Sequence, residues 1–594
     1  MFIEQLADAP NPQFARPTRT DLNGPWRFAY DDENVGLAEH WYAEPSRLYE
    51  QINVPFPPES KLSGIGDTSY HATLWYARKF QDPRAESNNR LLINFGAVDF
   101  HAKVWVDGQL VGEHFGGHTP FSFDISDALA AEVSDHWVVV RAFDDPLDIE
   151  QPRGKQEWLP ELHVIWYHRT SGIWQSVWFE EAPAIRLETI RWGFDNRSWE
   201  VTFQAELNQA PRTEATVNVV LTFEDERLGE VSVSANARTI SGRFPLTGLQ
   251  EANKARDLLW YPNRPNLLGA EIRVTANGAT DLVHSYVGAR TIEVTPTKIL
   301  INGNSIFLKL VLQQGYWPET QLAAPSPEAL EKEAQLILDI GFNGARIHQK
   351  IEDPRFLYWA DRKGLLIWGE SANAFTFSER AIARHASEWR EAVLRDRNHP
   401  SIIAWVPFNE SWGVGELGSS PEQQAAVKAA YHRTHQLDGT RPVIGNDGWE
   451  NPVGDIFTIH DYTWDPEVLK KRYGTPSDID ETVTSYFPGS RHLAVGDYEY
   501  RNKPVIVSEF GGVSYAPKAD ENWFGYGKVQ SAGEFVEKYS ALMSALHRST
   551  AIVGFCYTQF TDTEQETNGV LTETREHKVP IKALRGFTSG EELV

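Results

Sequence analysis

Near residue 294 the hydrophobic pattern changes its period. Before it, apolar residues alternate along short runs broken by Gly, Pro and Asp; beyond it, continuous apolar runs take turns with amphipathic stretches. No other feature constrains the fold as strongly, because a segment can bury one face only at the period of its own backbone. Eight apolar runs follow one another between 294 and 594: FLKLVLQQG, GFNGARIH, LLIWGE, IIAWVPFNE, PVIGNDGW, DIFTIHDY, PVIVSEFGG and IVGFCYTQF. Helices are signalled between several of them. Ser326-Pro327 and Ser420-Pro421 each place a capping hydroxyl before a proline at the first helical position, and Gly341 ends the first helix. Eight strands with intervening helices predict a catalytic (β/α)8 TIM barrel over 294–594, with functional side chains at the C-terminal strand ends.

The earlier part reads as two all-β units. Residues 1–182 carry YHATLWYARKF, NRLLINFGAV, FHAKVWVDGQLV, HWVVVRAF and GIWQSVWFE, with a hairpin turn at Asp107-Gly108, and predict a jelly-roll β-sandwich. Residues 183–293 continue with WEVTFQAEL, ATVNVVLTF, GEVSVSA and AEIRVTA, the spacing of an immunoglobulin-like β-sandwich without a disulfide. Three units agree with a length of 594 residues, more than one core supports.

Composition excludes more than it identifies. The 56 basic and 82 acidic residues leave a net charge of −26, which disfavours nucleic-acid and anionic-membrane partners. The single cysteine, Cys556, precludes an intrachain disulfide and a thiolate metal cluster, and is expected to pack in its apolar run. The N-terminus has no basic start followed by an apolar core, and no long apolar stretch occurs, so the expected location is cytoplasmic.

Two of the eight runs lead into a glutamate, Glu410 in WVPFNESW and Glu509 in VIVSEFGG. A barrel strand is buried on both faces, so a charge is tolerated only where the strand ends and a cavity opens. The fourth and seventh runs stand on opposite sides of a barrel mouth, and their carboxyl groups can converge on one substrate. Glycosidic hydrolysis needs that pair, one carboxylic acid for the leaving oxygen and one carboxylate against the anomeric carbon. Trp405 and Trp412 surround Glu410 with apolar area and favour its protonated form; the small neighbours of Glu509 admit a sugar and leave it ionised.

Five runs, RDRNHPSIIAWVPFNESW, PVIVSEFGG, LNGPWRF, SGIWQSVWF and YVGART, resemble family 2 of the glycoside hydrolases and span nearly the whole chain in that family's order. The resemblance implies the same three-domain layout and a retaining mechanism. It also implies Glu410 as acid/base, Glu509 as nucleophile and Asn409 as partner of the sugar 2-hydroxyl. By position it points to Tyr462 as a hydrogen-bond donor to the nucleophile, with His460 facing the same cavity, and to Arg346 as its charge partner.

The departures concern the sugar. His348-Gln349-Lys350 stands where β-galactosidase-like and β-glucuronidase-like members carry a histidine followed by Tyr-Pro, and VLQQGYW replaces a run that often holds an Asn and a His. An Asn-any-Lys carboxylate clamp is not evident, since Asn568 is followed by Gly569 and Val570. ESANAF, after the third run, lacks the Glu/His set of a magnesium site, so neither a metal nor another cofactor is expected. Further substrate-contact candidates are Gln314, Trp317, His348, Lys350, Trp449 and Gln559. Trp166 and Trp174 are expected in the sandwich core, and the acidic run 562–566 in solvent.

The reading is therefore an exo-acting retaining glycosidase acting on a terminal sugar of an oligosaccharide or glycoside, β-galactosidase-like by first choice. The alternatives are β-galactofuranosidase, α-L-arabinofuranosidase, β-glucuronidase or β-mannosidase activity, and, from another class, a non-catalytic carbohydrate-binding protein. A homo-oligomer is compatible with every one of them.

Overall fold

The computed structural model describes residues 2–592 apart from 132, 225, 247–256 and 516–525. The first unit is a sandwich of two antiparallel sheets. Arg19–Asp21, Val177–Ala182, Arg90–Phe95 and Phe121–Asp124 form one; Glu50–Val54, Gly24–Tyr30, Thr73–Phe80, His136–Phe143, His101–Val106 and Gln109–Phe115 form the other, each in that spatial order. The alternation that marked the strands decides which side chains meet. Ala102, Val104 and Val106 enter the core between the sheets, while Trp105 faces the other way and stacks on Trp75 and Tyr42. Asp107 and Gly108 both have positive φ (49° and 82°), the backbone a two-residue hairpin of the right twist requires.

The second sandwich packs a three-stranded sheet (Leu187–Asp195, Glu200–Leu207, Thr239–Pro245) on a four-stranded one (Glu226–Ala235, Ala215–Phe223, Leu268–Ala276, Ala279–Val287). In Ala215–Phe223 the residues Ala215, Val217, Val219 and Leu221 are fully buried and their neighbours are half exposed, so period-two burial does here what a disulfide does elsewhere.

In the barrel, seven parallel strands make one continuous ladder in the order Ile402–Val406, Leu366–Glu370, Gly344–Ile347, Leu308–Gln313, Ile552–Thr558, Val505–Gly511 and Phe457–His460. The eighth run, PVIGNDGW, closes the ring differently from expectation. It touches its neighbours through isolated parallel bridges, Trp405 with Val443 and Asn409 with Asp447, and on the other side through His460 N–H donating to Gly448 O at 3.1 Å. Pro442, Gly445 and Gly448 interrupt what would be a regular strand. Between strands the helices start as the sequence signals. Ser326 and Ser420 accept from Ala329 N–H and Gln423 N–H with Pro327 and Pro421 at the first turn, and Gly341 ends its helix at φ 103°.

The N-terminal end of the barrel is plugged by Ile3, Leu6 and the meander Ile292–Thr295, Lys298–Ile301, Asn304–Ile306, which pack under Leu308, Leu310 and Leu366. Cys556 lies in this core, fully buried. The opposite end is overhung by residues 144–171 of the first unit: Gly154 N–H donates to Asn373 O and Phe375 N–H to Ile149 O, both at 3.0 Å. Two expectations are corrected there. Trp174 packs with Tyr167, Tyr316 and Leu322 at the seam between sandwich and barrel, and Trp166 stands half-buried against Trp412 and Phe375 of the barrel. Residues 144–171 leave the sandwich to reach the barrel and carry their aromatic rings with them. Among the described residues no helix is long and apolar enough to cross a membrane.

Candidate active site

Glu410 and Glu509 reach one cavity by different backbone devices. The strand bearing Glu410 ends at Val406, before Pro407, which has no N–H to continue the ladder. Glu410 and Ser411 then adopt positive φ (50° and 60°), a strained turn costing roughly 1 kcal/mol or more per residue. It is held by Glu410 N–H to Asp447 O (2.9 Å), Ser411 N–H to Asn446 Oδ1 (3.0 Å) and Ser411 Oγ–H to Glu450 (2.6 Å). Glu509 lies within the strand Val505–Gly511 at a shift of register between Val507 and Phe510, and His460 on the neighbouring strand lies at another. Such irregularities turn a side chain out of the alternation of its strand.

The result is a carboxylate pair bridged by an imidazole. One side-chain oxygen of Glu410, one of Glu509 and a ring nitrogen of His460 all lie within 4.8 Å of one another. His460 Nδ1 is 2.7 Å from Glu410 Oε1, and its Nε2 is 3.2 Å from Asp447 and 3.5 Å from Glu509. The fully buried Arg346 forks among Glu509 (2.6 Å), Asp447 (3.0 Å), Glu370 (2.7 Å) and Asn409 Oδ1 (2.5 Å). Tyr462 O–H donates to the second oxygen of Glu509.

These surroundings separate the two carboxyl groups. Burial and the neighbouring Glu509 charge raise Glu410 above the usual carboxylate range, only partly offset by His460. Burial acts on Glu509 too, but the His460 and Arg346 charges and the Tyr462 hydroxyl outweigh it and hold that carboxyl low. His460 is opposed by burial and pushed up to about 10 by Glu509, Asp447 and Glu410, so it is an imidazolium at neutral pH. A cation bound among these three side chains would first have to displace that proton.

The other candidates divide. Asn409 is fully buried; its Oδ1 accepts from Arg346, and its Nδ2 has no partner among the described residues. His348 is kept neutral by burial beside Arg346, and its ring meets Trp412 at 6.1 Å. Gln314 and His348 line a small cavity with Lys155 and Tyr167 of the first unit. Gln559 lies behind it, accepting from Gln314 (2.8 Å) and donating to Asn568 (2.7 Å). Trp449 sets its ring against His460 at 5.7 Å. One expected contact is elsewhere. The Trp317 ring is covered by the Arg575 guanidinium at 3.5 Å in the core between strands and helices. Lys350 does line the cavity of Gln314 and His348, but its ammonium is already engaged by Glu352 (2.9 Å), Gly315 O (2.7 Å) and Leu322 O (3.0 Å).

Sequence reasoning passed over Asp447, held far below the usual range against the cost of burial by Arg346 and His460. A buried acid in an apolar run was its signal, the same one that singled out Glu410. It also placed 562–566 in solvent, whereas that segment latches the first unit to the barrel. Glu566 pairs with Lys155 (2.9 Å) and accepts from Tyr167, Glu564 pairs with His168 (2.6 Å) and accepts from Tyr316 (3.0 Å), and Asp562 pairs with Lys578 (2.6 Å). Nothing local in the sequence points to Lys155.

Known proteins share both the sequence and the fold. Residues 19–183 match the glycosyl hydrolases family 2 sugar binding domain, and residues 292–585 the TIM barrel domain of the same family. A β-glucuronidase of Paenibacillus borealis is 27% identical over 84% of this chain and 83% of its own length. A β-galactosidase of Thermoanaerobacter pseudethanolicus is 25% identical over 78% of this chain, which spans 59% of that longer protein. Among solved structures, a β-glucuronidase of an uncultured Clostridium superposes with a TM-score of 0.76 at 20% identity, covering 97% of this chain and 99% of that one. A β-galacturonidase of Eisenbergiella tayi gives 0.74 at 18%, covering 97% of each. With both of its domain types matched in order over most of its length, the chain belongs to family 2 of the glycoside hydrolases, and it is a glycosidase.

Proposed function

We propose that this enzyme is an exo-acting, retaining glycosidase that removes a terminal neutral sugar in β linkage, β-galactosidase-like, with Glu410 as acid/base and Glu509 as nucleophile. The observation that carries the reading is the approach of two carboxyl groups, within 4.8 Å oxygen to oxygen, whose surroundings push one up and the other down. A pair so close suits attack by one carboxylate directly on the sugar; an inverting enzyme needs roughly 6.5 to 9.5 Å for an intervening water. Glu509, ionised and steered by Arg346 and Tyr462, attacks the anomeric carbon while Glu410 protonates the departing oxygen. A covalent glycosyl ester forms on Glu509. Glu410, now a carboxylate, takes a proton from water, which releases the sugar with its configuration retained. The unpartnered Asn409 Nδ2 is placed to donate to the 2-hydroxyl, a contact that strengthens as charge develops on the ring.

The charge balance of the cavity supports a neutral sugar. Binding a uronate requires a cation with a donor to spare. Of the cations lining the cavity, Lys155 is engaged by Glu566 and Lys350 by Glu352, and His348 is neutral; Arg153 spends one terminal nitrogen on three oxygens of Asp145, Asp148 and Gln151 and keeps an unpartnered Nε among the described residues. The overhanging segment of the first unit, latched by Glu564 and Glu566, supports a closed pocket and hence exo action. The test is a panel of 4-nitrophenyl glycosides covering galactoside, glucoside, mannoside, glucuronide, galacturonide, galactofuranoside and arabinofuranoside. A neutral pyranoside is expected to give the highest kcat/KM, at least tenfold above either uronide. A uronide in first place would overturn the neutral-sugar assignment, and mass spectrometry of the trapped 2-fluoro-glycosyl enzyme should find the label on Glu509.

A further inference from the structure

An apolar wall stands beside the mouth of this site, and the reaction just described leaves it unused. Trp412 follows Glu410 by two residues; on one side it meets His348 inside the cavity, and on the other it faces Trp166 of the first unit at 5.8 Å and Phe375 at 6.0 Å. All three large rings are half-buried, so part of each faces solvent. The segment that supplies Trp166 continues the wall outward with exposed apolar residues: Ile149 (38% exposed), Leu159 (42%) and Val164 (47%). Scattered exposed apolar residues need no explanation, but these belong to one segment and adjoin the aromatic rings.

The backbone supports this display. Val164 is β-branched and sits at φ 51°, a conformation such residues rarely adopt. Its carbonyl is held by Gln565 Nε2 at 3.2 Å, and the same Nε2 donates to Trp166 O at 2.7 Å. Gln565 lies between the two latch glutamates. Strain that is maintained by a specific contact at a functional site is a reason to look for a role there. Most charged groups nearby are spent on one another: Glu157 accepts from Trp158 N–H, Leu159 N–H and His163, and Arg380 and Arg384 pair with Glu150 and Asp148, while Glu161 stands exposed between Leu159 and Val164. The wall therefore offers rings and methyl groups, with few hydrogen-bonding groups free for sugar hydroxyls.

Resting on the assignment of Glu410 as proton donor, we propose that Trp166, Trp412 and Phe375, extended by Leu159 and Val164, form the leaving-group subsite, and that it takes a flat, apolar aglycone. Glu410 addresses the oxygen that leaves with the aglycone, so the surface next along the chain from Glu410 is where that group lies. Aromatic faces and an apolar rim reward a planar apolar group, whereas a second sugar would bury hydroxyls against them.

The experiment compares kcat/KM on the 4-nitrophenyl glycoside, the methyl glycoside and a disaccharide of the sugar that the panel identifies, in wild type, Trp166→Ala and Val164→Ser. Each variant's ratio of aryl to methyl activity is read against wild type, which cancels leaving-group chemistry. The ratio is expected to fall about tenfold in Trp166→Ala, the worth of a lost aromatic contact, and about threefold in Val164→Ser, whose exposed site tolerates the change. Unchanged ratios in both variants overturn the proposal. A loss on the disaccharide that matches or exceeds the loss on the aryl substrate assigns the wall to a second sugar and overturns the apolar aglycone. A wild type that hydrolyses no glycoside of the panel overturns the glycosidase chemistry assigned to this site, and the subsite with it.

Discussion

The network beneath Glu509 and the latch at Glu566 are both buried and both centred on one cation, yet they are built from opposite materials. Arg346 presents a planar fork from a barrel strand to acids and an amide that stand at strand ends around the barrel. Lys155 is a point charge on a long stem, brought from another domain to a residue 411 positions away. A fork with several donors fixes the angle of each partner, and an ammonium fixes only proximity. The first arrangement suits a nucleophile that must be aimed; the second suits a wall that must be closed. The difference teaches where precision is needed in this site.

Several measurements would break or sharpen that contrast. Glu509→Gln should cost on the order of 10⁴-fold or more in kcat while leaving the melting temperature nearly unchanged, because the amide keeps the shape and loses the nucleophile. Glu410→Ala should cost roughly 10² to 10⁴-fold on substrates with poor leaving groups, less on nitrophenyl glycosides, and azide should restore part of the turnover as a glycosyl azide. Arg346→Met should fall mainly on stability, by about 3 to 5 kcal/mol in chemical denaturation, since it leaves three buried carboxylates without their cation. Lys155→Met should cost clearly less in stability, about 1 to 2 kcal/mol, because Tyr167 still donates to Glu566. Equal losses from the two cations would erase the distinction drawn here.

The smallest effect is in pH dependence. With the roles proposed for Glu509 and Glu410, kcat/KM should follow a bell whose acid limb lies below the ordinary glutamate value and whose alkaline limb lies above it. His460 adds a stability effect of defined sign. Its value is about 10 in the folded chain, against 6.5 for an ordinary histidine, so the folded state binds the proton more tightly. That contribution is complete below about pH 6.5 and is lost as the pH rises through about 10. The melting temperatures of wild type and His460→Asn should therefore converge across that window. A constant difference would show that His460 acts by packing alone.

The strand ends of the barrel were legible because each obeys a local rule. Continuous apolar runs announce strands buried on both faces, and a glutamate breaking such a run must face a cavity. Glu410, Glu509, Asn409 and Arg346 follow from that rule or from the motifs around it. The rule fails for side chains whose direction is set by a loop. Trp317 and Lys350 each lie within four residues of a strand end, yet Arg575 covers one in the core and Glu352 engages the ammonium of the other at the cavity wall. It fails as well for PVIGNDGW, whose proline and glycines prevent a regular ladder.

The sequence by itself indicated the strand periods of the three units and the pair of glutamates, since these rest on period and register; the difference between the two carboxyl groups rests instead on Arg346, His460 and Tyr462, because Glu509 is the more buried of the pair and Trp405 packs away from Glu410. Only the tertiary structure decided what encloses the sugar. Lys155, Trp166 and Tyr167 meet Trp412, Glu564 and Glu566 across some 250 to 400 positions of chain. No local pattern encodes that meeting. The physical reason is that a strand places its own side chains through its backbone geometry, while the wall of a pocket between domains depends on how two separately folded surfaces come to rest against each other.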